Sequence, residues 1–403
     1  MYDFLTLNDI GVKGKSVFLR VDINSPLDPA SKRILDDARI RATEATLRDL
    51  REAKVVIGAH QSRPGKYDFT NLEAHTRVIQ MYHGGKVKFV DDVDGPKAQE
   101  AIKALKTGEV LVLSNLRMHK DENLDAPPEK LAETGMVKTL APYFDICIND
   151  AFAAAHRGSA SLTAFGEVMP MIAGRLMEKE LIALNKIIYS PIHPTVYLLG
   201  GAKVDDRIPV INRVLKDKIA DHILIGGLIS DSFHIAGGAM PERYARLKEE
   251  DKKLVTEAGE ILKKYKKNIE LPVDVALDTK GGRIEVLTKQ ITDETNIYDI
   301  GLNTIAKFSK FIREAGTVVA EGPLGMFERR GFDVGTKELL RVMAEVPGYT
   351  VVGGGHMGGL ASMLGIDEKM KHVSTGGGAM LSLLAGETLP VIEAMAKAKK
   401  RWG

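Results

Sequence analysis

The chain has 403 residues, 44% of them hydrophobic and 27% charged, with a formal net charge of +2. This length and composition fit two globular cores and exclude a disordered, fibrous or single small-module protein. The near balance of charge excludes a polyanion-binding face spread over the whole molecule, so any cationic function has to come from local clustering.

The lone cysteine, Cys147, excludes an internal disulfide framework and a cysteine metal cluster; in its apolar run FDICIND it reads as a buried thiol. No run of eighteen apolar residues occurs, and Met1–Ile10 lacks the character of a secretory signal. The expectation is a cytoplasmic protein with neither membrane nor nucleic acid as partner.

From the N-terminus, strands and helices alternate. SVFLRVD (Ser16–Asp22), KVVIGAH (Lys54–His60), KVKFV (Lys86–Val90), EVLVLSN (Glu109–Asn115) and DICIND (Asp145–Asp150) are apolar and rich in β-branched residues. Helical patterns lie between or after them at Asp37–Ala53, Asn71–His83, Pro96–Leu105 and Pro128–Leu140. Apolar strands alternating with amphipathic helices predict an α/β fold, a parallel sheet covered by helices on both faces.

Gly174–Tyr189, closed by the prolines of SPIHP, reads as a helix joining two domains, 1–173 and 174–388. The second half repeats the architecture. TVYLLGGAKV, HILIGG, LPVDVAL, TVVAEGPLG, TVVGGG and KHVSTGGG each supply a strand, and five of the six end in a glycine turn. Pro241–Lys267 reads as one long helical region whose charges form a solvated face, and Leu389–Gly403 as a short basic helix.

Ligands of open parallel sheets bind beyond the carboxyl ends of the strands. In the first half, the polar residues just past strand ends are Asp22, Asn24, His60, Arg63, Arg117, Asn149, Asp150, His156 and Arg157, and Arg39 opens the helix after the first loop. Arginine forks match carboxylate and phosphate oxygens two at a time. These residues therefore predict a cationic bowl for a small substrate carrying both groups. Surface salt bridges are the alternative, a weaker one for the set than for any single arginine.

In the second half the strand ends carry glycine turns, at Gly200–Lys203, Gly226–Gly227, Gly322–Gly325, Gly353–Gly355 and Gly376–Gly378. Glycine turns at helix N-termini present bare amides and positive dipole ends, which suit a polyphosphate, with Lys203, Asp206 and Arg207 alongside. The two half-sites together suggest a transfer reaction completed by closure, which expels water. GGGHMG also satisfies the dinucleotide fingerprint G-x-G-x-x-G, but the next strand ends in Ser374 rather than the acidic residue that would bind a ribose. His60, His156 and His356 lack metal-ligand spacing.

The motifs RVDINSPL, AHQSRPG, NDAFAAAHR, LGGAKVDDR, GPLGMFE, VVGGGH and HVSTGGGA occur in that order between Arg20 and Ala379. In this respect the chain resembles the phosphoglycerate kinase family, and its GGGH resembles the archaeal branch. The resemblance implies two Rossmann-like domains joined by a helix and a hinge, with the tail 389–403 packing back on the first domain. It implies reversible phosphoryl transfer between 1,3-bisphosphoglycerate and ADP, giving 3-phosphoglycerate and ATP, with magnesium, in glycolysis and gluconeogenesis. Transfer would be direct and in line. Asp22, Asn24, Arg39, His60, Arg63, Arg117 and Arg157 correspond to the 3-phosphoglycerate site, and Arg39 also to the catalytic arginine.

On the same footing Lys203 corresponds to a lysine on the nucleotide phosphates and Glu328 to a carboxylate on the ribose. Pro323 and Gly301 fall at the adenine pocket. Lys203, Arg207, Gly355 and Gly377 are expected to act on the transferring group. Gly201, Gly226, Gly354, Gly355, His356 and Met357 are expected to line the nucleotide. Arg207 stands in place of a second lysine, Glu321 in place of an asparagine, and His356 in place of the aspartate that binds magnesium. A neutral imidazole is a poor ligand for a hard cation, which leaves Asp206 or Glu321 for the metal. A non-catalytic nucleotide-binding protein is the competing function, and the sequence leaves monomer and homodimer both open.

Overall fold

The computed structural model describes residues 3–403. The chain divides into two compact units, one running to Ile182 and including Thr388–Gly403, the other Ala183–Glu387.

The first unit is built on six strands: β1 (Ser16–Val21), β2 (Lys54–Gly58), β3 (Val87–Phe89), β4 (Val110–Val112), β5 (Ile146–Asp150) and β6 (Met171–Ala173). All are parallel, in the order β3-β4-β2-β1-β5-β6. Strands covered on both faces must be apolar throughout; Val17, Leu19, Val55, Ile57, Ile146 and Ile148 are fully or almost fully buried in one cluster. Phe18 stacks on Phe165, ring centroids 4.5 Å apart, on the other face. The chain moves outward from β1 through β2 and returns to β5, so the topological switch point lies between β1 and β5, where ligands of such sheets bind.

Two expected helices are broken. Asp37–Ala53 forms Ala38–Ala42 and Glu44–Asp49, with the Thr43 hydroxyl donating to the Ile40 carbonyl at 2.7 Å. Pro128–Leu140 forms Pro128–Leu131 and Gly135–Leu140, because Thr134 takes an extended conformation before Gly135. The C-terminal helix, Pro390–Trp402, buries Val391, Ile392 and Met395 within the same unit, and the Trp402 indole N–H donates to the Gly166 carbonyl at 3.1 Å.

The second unit has a parallel sheet in the order β15-β14-β13-β7-β8-β9. Its strands are β7 (Thr195–Leu199), β8 (His222–Ile225), β9 (Ile269–Glu270), β13 (Thr317–Glu321), β14 (Tyr349–Gly353) and β15 (His372–Val373). Here the switch point is between β7 and β13. The segment LPVDVAL does not join this sheet. Its β10 (Asp274–Thr279) pairs antiparallel with β11 (Gly282–Leu287) and β12 (Ile297–Ile300) in a separate three-stranded sheet. The last place in the parallel sheet goes to the two-residue β9 instead. The charged region Pro241–Lys267 is also two helices, Pro241–Arg246 and Glu249–Tyr265, separated where Leu247 turns extended. Among the described residues no single helix is long and apolar enough to cross a membrane.

Candidate active site

In the first unit, the expected residues gather beyond the C-terminal strand ends. Asp22 is the anionic centre. Burial opposes its charge, but the Arg39 and Arg20 charges and the Asn24 N–H overcome this and hold its carboxyl down at about 2. Arg39 Nη1 donates to Asp22 Oδ2 at 3.0 Å. Asn24 is bound locally, its Oδ1 accepting the Ser62 N–H at 2.8 Å. This pins a loop whose Ser62 has φ +57°. Arg117 reaches the same loop by donating to the Ser62 carbonyl.

Arg63, Arg117 and Arg157 feel one another electrostatically. Burial and the neighbouring Arg157, Arg20 and Arg63 charges depress Arg117 to about 10. Arg157 is lowered too, chiefly by burial, and its Nη1 is buried with no hydrogen-bond partner. A buried donor without an acceptor carries a desolvation cost that an anionic ligand would remove.

Arg20 belongs to this cluster, but the strand pattern hides it. It lies in β1, fully buried, where Nε donates to Ser161 Oγ at 2.7 Å and Nη2 meets His60 Nδ1 at 2.8 Å. Glu122 closes the network: its carboxylate accepts from Ser161 Oγ at 2.7 Å and lies 3.8 Å from Arg20. Guanidinium can only donate, so His60 Nδ1 must accept and the proton sits on Nε2. Burial and the Arg20 charge keep His60 well below its ordinary value, hence neutral. His60 is thereby a fixed N–H donor.

Asn149 and Asp150, also selected by position, serve the scaffold. Asn149 Nδ2 donates to the Leu162 carbonyl at 3.0 Å. Asp150 accepts from Thr46 Oγ1 at 2.6 Å and from the Met177 N–H at 3.0 Å, at the start of the helix Arg175–Tyr189. His156 Nε2 accepts from Arg157 Nε at 3.3 Å.

The second unit holds a pocket of about 540 Å³ at its switch point. Gly201, Lys203, Asp206, Arg207, Glu321, Pro323, Glu328, Gly354, Gly355, His356, Met357 and Gly377 all line it. Four helices begin on its wall, at Val204, Gly227, Gly355 and Gly377, none with a side-chain cap at its start. Their amides and dipoles suit phosphate oxygens. Ile297, Tyr298, Leu324, Met326 and Phe327 supply an apolar wall that glycine-turn reasoning missed. The exposed His356 ring lies 5.1 Å from that of Phe327.

Two expected residues do not line the pocket. Gly226 packs under Leu324, whose side chain a Cβ would meet at 2.6 Å, and the neighbouring Gly227 is the residue on the wall. Gly301 backs onto the Asp274 carboxylate, which a Cβ would meet at 2.3 Å, because Asp274 caps the first turn of the helix Leu302–Glu314.

Arg207 is not a free cation in the pocket. Nε donates to the Gly200 carbonyl at 3.1 Å, Nη1 to the Lys203 carbonyl at 3.1 Å and Nη2 to Glu321 Oε2 at 2.6 Å. Lys203, its side chain 76% exposed and 3.9 Å from Asp206, is the exposed cation of the pocket. Burial lifts the Glu321 carboxyl to about 7 against the pull of Arg207, and Asp206 adds to the rise. Among the described residues no three His, Cys, Asp or Glu side chains form a metal cluster. Asp206 and Glu321 on one pocket wall instead fit a magnesium that arrives on phosphates, since that ion takes one or two carboxylates plus substrate oxygens.

The fold is that of a two-unit α/β protein, with an arginine cluster at the strand ends of one unit and a glycine-turn pocket at those of the other. The chain belongs to the phosphoglycerate kinase family, whose model matches residues 7–387. Members are ATP:3-phosphoglycerate 1-phosphotransferases. It is 42% identical over 403 residues to phosphoglycerate kinase of Methanobacterium bryantii, covering 99% of this chain and 98% of that one. It is 44% identical over 412 residues to that of Methanococcus maripaludis, covering 99% of each. Among solved structures, phosphoglycerate kinase from Pyrococcus horikoshii superposes with a TM-score of 0.92 at 41% identity, covering 99% of this chain and all of that one. The structure from Coxiella burnetii gives 0.80 at 28% identity over the whole of both chains.

Proposed function

We propose that the arginine bowl of the first unit binds 3-phosphoglycerate or its 1,3-bisphosphate, and the glycine-turn pocket of the second binds ADP or ATP. The observation that carries the reading is the arginine cluster around the buried Asp22. Buried Arg20, the half-buried Arg39, Arg117 and Arg157 and the exposed Arg63 gather around two buried carboxylates, Asp22 and Glu122, and a neutral His60. Such an excess of partly desolvated cation is costly unless an anion completes it.

In this reading Arg157 Nη1, Arg63 and the His60 Nε2–H bind the phosphate and carboxylate oxygens. Asp22 stays ionised and aims Arg39, whose remaining N–H groups meet the charge that develops during transfer. In the second unit the amides at Gly355 and Gly377 and the Lys203 ammonium hold nucleotide phosphates. Magnesium, when bound with the nucleotide, neutralises phosphate charge. Asp206 is the better placed carboxylate for it, because Glu321 Oε2 is held by Arg207. The acyl phosphate reacts directly, without a covalent enzyme intermediate, so catalysis is positioning and charge stabilisation.

A coupled assay of ATP-dependent phosphorylation of 3-phosphoglycerate tests this. Turnover that requires both substrates and magnesium is expected. Normal ADP binding with no turnover would point to a nucleotide-binding protein without catalysis.

A further inference from the structure

We infer that Glu321 is the positioning residue of the nucleotide-phosphate site: one carboxylate oxygen holds, through Arg207, the Gly200–Lys203 loop, and the rest of the side chain floors the Gly353–Gly355 and Gly376–Gly378 turns. This rests on the reading of the second unit as the nucleotide-binding one. It assigns Glu321 a task distinct from ligating a metal.

Topology supplies the first argument. Glu321 is the last residue of β13, between β7 and β14. In register it sits beside Leu199, which leads into the Gly200–Lys203 loop, and beside Gly353, which leads into the other glycine turn. β13 is the strand that lies between β7 and β14, so its end adjoins both loops.

Hydrogen bonding supplies the second. Arg207 spreads its fork over the Gly200 and Lys203 carbonyls, and Glu321 Oε2 fixes the remaining arm at 2.6 Å. Both partners are nearly inaccessible, at 6% and 5% exposed. The Glu321 backbone carbonyl also accepts the Gly200 N–H at 2.9 Å. Inside a protein a charge-assisted bond of this kind is strong, and losing one partner leaves the other buried and unpaired. With Glu321 removed, the Arg207 fork is free to turn and the loop carrying Lys203 loses its anchor.

Space supplies the third. A Cβ on Gly353 would lie 3.2 Å from Glu321 Cγ, one on Gly354 3.2 Å from Oε1, and one on Gly377 3.6 Å from Oε1. The carboxylate therefore occupies the room beneath both turns. It sets the level at which their amides, and the helices that start at Gly355 and Gly377, face the pocket. One side chain thus links three of the loops that would contact phosphate.

The test is calorimetric binding of ADP, adenosine and 3-phosphoglycerate, at fixed magnesium, to the full chain and to E321A, E321Q, R207K and the E321A/R207K double variant. E321A is expected to lower ADP affinity by ~10-fold or more, the scale of a lost buried charged bond. Adenosine and 3-phosphoglycerate affinities should stay within about twofold of wild type, the size of an unperturbed site. E321Q keeps an acceptor oxygen and should recover much of the loss. The double variant should be no weaker than the worse single, because both changes cut one linkage.

A folded E321A with wild-type ADP affinity would overturn the inference. So would an equal loss for adenosine, or additive losses in the double variant. If E321A does not fold, the E321Q and R207K pair with its double applies the same additivity criterion. Failure of the wild type to bind ADP would instead remove the nucleotide reading itself.

Discussion

His60 shows how a single side chain is set by its neighbours. Arg20 Nη2 can only donate to His60 Nδ1, and burial removes the charged form. The expected outcome is an imidazole whose ¹⁵N shifts remain those of a neutral ring protonated at Nε2 throughout pH 5.5–8; titration near 6.5 would contradict the network. Arg39 depends on Asp22 in the same way, with the ion pair at 3.0 Å and the carboxylate ionised down to about 2. Arg39→Ala should lower kcat by ~10³, the scale of a transition-state arginine. A change confined to KM would reduce Arg39 to a binding residue. At this scale much of the site was legible, because polar residues after apolar strands stand out. Arg20 was not, since an arginine inside SVFLRVD looks like an outward-facing residue until Glu122 and Ser161, distant in sequence, surround it. Gly226 and Gly227 were indistinguishable for the same reason: only the approach of Leu324 decides which one meets the pocket.

Elements carry the next constraints. The helix Arg175–Tyr189 starts on Asp150, whose carboxyl is pushed up to about 6 by burial, against the pull of the Thr46 hydroxyl and the Met177 and Leu176 N–H groups. An aspartate unfolds to an ordinary value near 4. The folded state therefore binds the extra proton between these values, and the favourable contribution, complete below pH 4, is lost as pH rises through 6. Urea unfolding of wild type and D150N should show the wild-type advantage shrinking by on the order of 2 kcal/mol across that window. A constant difference would contradict a buried, proton-binding Asp150. Gly227 has φ +60°, and a Cβ there would lie 2.7 Å from the Gly201 nitrogen. Gly227→Ala should cost at least ~1 kcal/mol from backbone strain alone, read in the same unfolding experiment, and should weaken ADP binding.

The parallel strands were readable because burial on both faces forces continuous apolar runs. The small antiparallel sheet was not: β11 holds only exposed and half-buried residues, and its GRIEVL pattern is too polar to announce a core strand. LPVDVAL looked like a further parallel strand because its apolar content does not specify its partner. The break at Leu247 carries neither glycine nor proline, so the charged helix looked continuous.

At the scale of the whole molecule, each unit has its own sheet and core, and the proposed ligand site of each lies at the switch point of its sheet. Composition and alternation already called for two such units. The assignment of one substrate to each rests on side chains: clustered arginines in one, helix starts and glycine turns in the other. Hydrogen exchange followed by peptide mapping tests this division most directly, with ADP and 3-phosphoglycerate added separately. ADP should slow exchange in the loops at 200–203, 322–328, 353–357 and 376–378 and leave 22–63 and 115–157 unchanged. 3-Phosphoglycerate should do the reverse. Protection of the arginine bowl by ADP alone, or of the glycine turns by 3-phosphoglycerate alone, would contradict the division.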